Sequence, residues 1–216
     1  MNFIFLGAPG AGKGTQAKFL VKKYGLHQVS TGEILREAIK EKTAEGLKAE
    51  KFMDKGELVP DNTMIKIISQ KLVQSECNNG FILDGFPRTL IQAQKLEEIL
   101  LELRIKIDKV IYFSISDPEV IKRLSGRRVC SSCGATYHIV YNKPEHEGKC
   151  NICLNDLHQR HDDAIETIEN RLKIYYKLTA PLINHYKEKG NFTKIDAADN
   201  IKDIEIKMNS IVKEKK

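Results

Sequence analysis

No stretch of the 216 residues approaches the roughly 20 apolar residues that a membrane span needs, so no membrane association is expected. No basic segment precedes the short apolar run at residues 3–6, which argues against a secretory signal and for a cytoplasmic protein. Internal repeats and low-complexity stretches are also missing, apart from a lysine-rich C-terminal end that is expected to fray. Arginine is scarce: of 35 basic residues, 27 are lysine and only 8 are arginine. A chain that spends arginine so sparingly needs the planar, bidentate guanidinium fork where it keeps one. The length and the 41% apolar content suit one main domain with a true core and room for insertions. The net charge of +6 suits nucleic acid or a pocket for polyphosphates, and composition alone does not separate the two.

The apolar run at residues 3–6 ends in Gly7-Ala8-Pro9-Gly10-Ala11-Gly12-Lys13-Gly14-Thr15, and a helical pattern follows. Such a loop turns successive backbone N–H groups around an anion, while the next helix points its positive end at the same spot. Lys13 can then reach the outer phosphates of a nucleoside triphosphate. The generic phosphate-loop pattern places Ser or Thr directly after the lysine. Here Gly14 intervenes and the hydroxyl arrives at Thr15.

Strand-like runs at 2–6, 80–83, 109–114 and 192–195 alternate with helical patterns at 13–24, 31–42, 61–74, 89–103, 118–128, 163–187 and 201–213. This alternation predicts an α/β fold with a parallel sheet covered by helices on both faces. Asp117 reads as an N-cap ahead of Pro118, and Pro181 as a bend in the long helix. Segments 30–59 and 126–163 do not fit a minimal alternating sheet. They read as insertions, of the kind that form lids or acceptor-binding arms.

Cys130-x2-Cys133 and Cys150-x2-Cys153, sixteen residues apart, have zinc-ribbon spacing. Four thiolates close a tetrahedral shell around Zn²⁺ and leave no position for catalysis, so the site is expected to be structural. Disulfide bonding is the alternative, and a reducing cytosol opposes it. Cys77 stands apart as a small buried or surface residue. His138, His146, His158 and His161 are near enough to be ligands, but four cysteines already complete the shell. A zinc ribbon also raises the possibility of a nucleic-acid-binding ATPase. Against that, the segment holds few aromatics (Tyr137, Tyr141) and no dense basic run, so no nucleic-acid partner is expected. Arg127 and Arg128 before it and Arg160 after it suit a lid over a small anion.

Residues 80–89 place Asp84 at the end of an apolar strand, where ligands sit in parallel sheets. A carboxylate there can hold the water shell of a Mg²⁺ that bridges phosphates, or it can merely cap a turn. Arg88, four residues on, is placed to meet a second anion.

Taken together, residues 7–15, Ser30-Thr31-Gly32 with Arg36, the run from Asp84 to Thr89, Gly126-Arg127-Arg128, and Arg160 with Asp162 and Asp163 resemble the adenylate kinase family. The likeness is to the long bacterial type with a zinc-bearing lid, and it spans nearly the whole chain in order. It implies a P-loop nucleoside monophosphate kinase core (1–29, 60–125 and 164–216), an AMP-binding arm (30–59) and a zinc-binding lid (126–163). It also implies a monomer that converts MgATP and AMP into two ADP. By this resemblance Gly10, Ala11, Gly12, Lys13, Gly14 and Thr15 wrap the ATP phosphates, while Thr136, Tyr137 and Asp199 lie near the ATP base and ribose. Thr31, Arg36, Glu57, Leu58, Val59, Gly85, Phe86, Pro87, Arg88 and Gln92 hold AMP. Arg123 and Arg127, four apart and expected on one helical face, meet phosphates from the lid side. Arg160 and Arg171 face the acceptor and transferred phosphates. Asp162 and Asp163 are hinge or lid-closing residues, and Arg104 and Arg128 are left as surface or structural residues. Lys143 and Ala197 depart from residues frequent in the family. A kinase for UMP or CMP is the nearest competitor, because base choice depends on the pocket around Thr31, Val59 and Gln92.

Overall fold

The computed structural model describes residues 1–213, so the expected fraying of the last lysines lies outside the described residues. From the N-terminus, β1 (Phe3–Gly7) leads into α1 (Lys13–Tyr24), then β2 (His27–Ser30), α2 (Thr31–Lys40), α3 (Ala44–Met53) and α4 (Asp61–Leu72). Next come β3 (Phe81–Asp84), α5 (Leu90–Glu102), β4 (Lys109–Ser114) and α6 (Asp117–Ser125). A small unit of β5 (Arg127–Cys130), β6 (Thr136–His138) and β7 (Leu157–His158) follows. The chain then closes with α7 (Ile165–Ile174), α8 (Pro181–Lys187), β8 (Phe192–Asp196) and α9 (Ile201–Lys213).

The main sheet has five parallel strands in the order β2-β3-β1-β4-β8. Its inner strands are apolar at successive positions because both faces are covered. Ile4 and Leu6 of β1, Phe81 and Leu83 of β3 and Val110 of β4 pack into one core, with residues of α4 and α5. Phe3 and Phe5, Ile82, and Ile111 and Phe113 point the other way, against α1 and α9. Phe5 and Phe113 meet edge to face, with centroids 5.0 Å apart. β1 lies between β3 and β4, so the loop after β1 sits where the strand order reverses, the usual ligand-binding position in such sheets.

Four expectations need correction. β2 is a fifth strand that hydrophobic patterning did not reveal. It lies at the sheet edge, where His27 and Gln28 are only half-buried and carry no apolar run. The helix expected over 118–128 stops at Ser125, and residues 127–130 instead form β5, paired antiparallel with β6 and β7. Pairing on both sides outweighs the helical spacing there, so Arg123 and Arg127 do not share a helical face. Ser116, not Asp117, precedes the first turn of α6, and Pro118 lies within that turn. The long helix expected over 163–187 is divided: Asp163 ends a short 3-10 turn, and a π-helical stretch at Tyr175–Thr179 comes just before Pro181. Proline supplies no N–H to the helix, and the backbone widens ahead of it, with Ala180 N–H donating to Tyr175 O.

Ile82 is fully buried on an inner strand and does not line the cleft described below. Ile82→Ala is expected to lower the unfolding free energy by about 2–5 kcal/mol, measured by urea denaturation. A loss below about 1 kcal/mol would show that the sheet core can collapse around the gap.

Candidate active site

The loop after β1 is shaped by glycines. Gly10 and Gly12 have φ of 77° and 87°, which lets the chain turn tightly into α1. Lys13 opens that helix, and its Nζ donates to Gly7 O and Ala8 O at 2.8 Å each. Burial lowers Lys13 to about 8; Asp84 opposes the shift, while Arg88, Arg171 and Arg127 add to it. A β-carbon at position 14 would lie 3.3 Å from Asp84 Oδ2, so this tight approach favours glycine after the lysine, with the hydroxyl one residue later at Thr15.

Asp84 ends β3, and the pairing of Ser30 with Asp84 brings β2 alongside it. Gln28 Nε2 donates to Asp84 Oδ2 at 2.9 Å. The next residue, Gly85, has φ of 84°, and a β-carbon on it would lie 2.8 Å from Thr31 Oγ1 and 3.0 Å from Arg88 Nη2. Glycine thus lets the Thr31 hydroxyl reach Gly85 O (2.9 Å) and Arg88 Nε reach the same carbonyl (2.8 Å).

These groups open onto one cleft of about 1630 Å³. That exceeds the roughly 300–1,000 Å³ of a pocket for one small ligand and leaves room for two. Residues 10–15 line it, as do Thr136 and Tyr137 of β6 and Asp199 of the loop before α9. Thr31, Arg36, Glu57, Leu58, Val59, Gly85, Pro87, Arg88 and Gln92 line the cleft from α2, the segment after α3 and the turn after β3. Asp84, Arg123, Arg127, Arg160 and Arg171 also line it. Among the expected residues Phe86 is the exception: its side chain is fully buried in the core beneath the turn. Arg104 is exposed, and Arg128 donates to the backbone at Ser125 O and Arg127 O, so neither joins the cleft.

The arginines are held by carboxylates. Arg127 Nε and Nη2 donate to the two oxygens of fully buried Asp163 at 2.8 and 2.6 Å. Arg171 Nη1 reaches Asp163 Oδ1 at 3.2 Å and Asp162 Oδ2 at 3.1 Å. Burial alone would raise the Asp162 carboxyl, yet Arg171, Arg127 and Arg36 hold it below the usual carboxylate range. Burial and neighbouring cations push Arg88 and Arg160 down from the usual arginine range, and arginine nonetheless stays charged at neutral pH. Arg160 Nε is buried with no hydrogen-bond partner among the described residues, as expected of a donor meant for a ligand.

The four cysteines come together in the small β unit, with every sulfur within 4.8 Å of the others. Cys130 ends β5 and Cys133 lies on the turn after it, while Cys150 and Cys153 lie on a second turn closed by Leu154 N–H donating to Cys150 O. They are free thiols at distances that suit a tetrahedral thiolate shell. Tyr137 Oη lies 3.4 Å from Cys150 Sγ, and this contact draws the Cys150 thiol down to about 6. Tyr137 therefore turns its hydroxyl toward the cysteines, although the residue also borders the cleft. His138 is engaged elsewhere: its Nδ1 accepts from Val140 and Tyr141 N–H. Cys77 packs in the main core.

Several participants were not foreseen. Glu119 pairs with Arg123 Nε at 2.9 Å, a contact readable from their spacing of four on α6. Gln28 was hidden because β2 was hidden. Met53 and Met64, which line the cleft beside Val59, carry no signal that separates them from core residues.

Comparison with known proteins agrees with this geometry. The family model of adenylate kinase matches residues 5–191. The adenylate kinase of Caldicellulosiruptor saccharolyticus is 53% identical over 190 residues, 88% of each chain. Those of Archaeoglobus fulgidus and Bacillus pumilus are 50% and 49% identical over 204 residues, 94% of each chain. With a phosphate loop, a strand-end aspartate and converging arginines in one cleft, the chain belongs to the adenylate kinase family.

Proposed function

We propose that the cleft takes MgATP at its phosphate-loop end and AMP at the other, and that the terminal phosphoryl group passes reversibly between them to give two ADP. Such a reaction serves adenine nucleotide balance and nucleotide biosynthesis. The observation that carries this reading is the convergence of Lys13 and six of the eight arginines on one cleft roomy enough for two nucleotides. In this reading residues 30–59 form the AMP arm and 126–163 the lid, on a core of 1–29, 60–125 and 164–216. The enzyme is read as monomeric and cytoplasmic, as the family resemblance implies; no helix among the described residues is long and apolar enough to cross a membrane.

An AMP phosphate oxygen is already a nucleophile near neutral pH, so no general base is needed. The work of the chain is alignment and neutralisation of spread negative charge. Residues 10–15 hold the ATP phosphates, and Lys13 exchanges its two carbonyl partners for phosphate oxygens. Arg88, held by Gly85 O, meets the acceptor phosphate beside Arg36. Arg123, Arg127, Arg160 and Arg171 surround the group in transfer. Asp84 would hold the hydration shell of Mg²⁺, which supplies positive charge between the phosphates. Thr31, Glu57, Leu58, Val59, the Gly85–Pro87 backbone and Gln92 place AMP, and Thr136, Tyr137 and Asp199 border the ATP base and ribose. Water competes as an acceptor, which gives the arm and lid a reason to close over the cleft. Cys130, Cys133, Cys150 and Cys153 would hold Zn²⁺ as a structural tie.

ADP formation from MgATP is expected with AMP and not with UMP, CMP or GMP. Arg88→Ala should keep the fold and lose on the order of 10³–10⁵ in turnover, as arginines that stabilise a transferring phosphoryl group do. Near-normal turnover in that variant would remove Arg88 from the reaction.

Lys13 must be protonated to meet phosphate. ATP affinity is therefore expected to fall by up to about tenfold per pH unit above about 8, by titration calorimetry. The sign for stability is opposite. The folded state disfavours the charged lysine, so this group's contribution to stability rises as the pH passes from about 8 to 10.5. An ATP affinity flat between pH 7 and 9.5 would show that Lys13 does not titrate there.

Stripping zinc with a chelator should lower the melting temperature while leaving measurable turnover at low temperature. A metal-free protein that melts unchanged would exclude the structural tie.

A further inference from the structure

Gln92 is buried, borders the acceptor end of the cleft, and is gripped from behind at both ends of its amide. Its Oε1 accepts from Arg88 N–H at 2.8 Å, and its Nε2 donates to Asp61 Oδ1 at 2.6 Å. A backbone N–H can only donate and an ionised carboxylate can only accept. The amide therefore has one satisfied orientation. Turned over, it would set oxygen against the Asp61 carboxylate and its NH₂ against the Arg88 N–H. Asp61 is the first residue of α4 and does not itself line the cleft. It is steadied by Thr89 Oγ1, which donates to the same Oδ1 at 3.1 Å and accepts Gln92 N–H at 3.1 Å.

We propose that Asp61 is a specificity-determining positioning residue, which locks the Gln92 amide in the orientation that reads an adenine edge. The inference rests on the reading of Gln92 as a residue that faces the acceptor base. Once Asp61 and Arg88 are served, Gln92 keeps one Nε2 proton and one Oε1 lone pair for a ligand. Adenine presents an acceptor at N1 beside a donor amino group at C6. The 6-oxopurines, hypoxanthine and guanine, present a donor at N1 beside an acceptor at O6. A fixed amide pairs with the first pattern and meets like with like in the second. An amide free to turn serves either.

The test compares kcat/KM for AMP and IMP, with ATP as donor, in the wild-type enzyme and in Asp61→Ser, Asp61→Asn and Gln92→Leu. Serine suits the start of a helix but is too short to reach Gln92. Asp61→Ser is expected to lower the AMP-to-IMP ratio by about tenfold, the scale of one lost hydrogen bond, with KM for ATP unchanged. Asp61→Asn, whose carboxamide oxygen can accept the same two bonds, should keep the wild-type ratio. Asp61→Ala is the second variant should the serine variant fold poorly. An unchanged ratio in the serine and alanine variants, with only a lower melting temperature, would overturn the proposal and leave Asp61 a structural residue. A loss in Asp61→Asn equal to that in Asp61→Ser would also overturn it, because charge and not orientation would then matter. An unchanged ratio in Gln92→Leu would instead overturn the reading of Gln92 itself.

Discussion

Crowding of like charge around one cleft is the constraint on which the rest of this structure depends. Lys13, Arg36, Arg88, Arg123, Arg127, Arg160 and Arg171 share a single partly dry space, where their mutual repulsion is far less screened than at a surface. Removing such charges from water is costly, and ion pairing offsets the cost only with good geometry. Asp163 supplies that geometry, with both oxygens in hydrogen bonds to Arg127 and one shared with Arg171. Six more carboxylates line the cleft (Glu33, Glu57, Asp84, Glu119, Asp162 and Asp199), yet with Lys18 and Lys202 nine lysines and arginines line it, so a cationic surplus remains. The surplus is what an anionic pair of nucleotides neutralises, and the orphaned Nε of Arg160 is one local sign of it.

Such a cluster has to be assembled from separate parts of the chain. Lys13 and Arg88 follow the C-terminal ends of β1 and β3, strands paired in register from Phe3 with Ile82 to Phe5 with Asp84. That register sets the phosphate loop beside the strand-end carboxylate. Arg36 comes from α2, Arg123 from α6, Arg127 from β5 and Arg171 from α7. The segment after α3 is anchored as well, by Asn170 Nδ2 donating to Lys55 O. A rigid sheet thus fixes one side of the cleft. Leu35, Ala49 and Val59 tie the α2–α3 wall into the main core, while the wall formed by β5 and β6 belongs to a unit whose own core is small.

What could be read in advance follows from how local each signal is. The phosphate loop, the cysteine pairs and the inner strands are contiguous and chemically distinctive, and the structure places them as their residues imply. β2 escaped because an edge strand need not be apolar. Arg127 was assigned to the wrong element because a spacing of four mimics a helix, whereas β5 exists only through pairing with β6 and β7, the latter nearly thirty residues away. The family resemblance assigned Phe86 to the ligand as part of a run, and the structure turns its side chain into the core while Gly85, Pro87 and Arg88 line the cleft. Which way a side chain turns within a tight run depends on the core beneath it. The bonds among Asp61, Thr89 and Gln92 join α4 to α5 and were beyond any local pattern.

The small β unit shows why the cysteines belong with the arginines in one argument. Its apolar cluster is little more than Cys130, Tyr137 and Cys150 with Ala135, Cys153 and Leu157 around them, while Val140, Ile152 and Leu154 stay exposed. Burial on that scale cannot order so long a segment by itself. Yet β5 is the central strand of this unit, and Arg127 is its first residue. In the proposed reaction Arg127 meets the group in transfer, a task that asks for a stiff strand behind it. Tyr137 joins the two requirements. On β6 it pairs in register with Arg128, and its hydroxyl accepts Asn151 N–H at 2.8 Å beside Cys150. The cysteine turns are thereby linked through one side chain to Arg128 on β5, next to Arg127 at the cleft, so under the proposed function a site that touches no substrate would still bear on the chemistry.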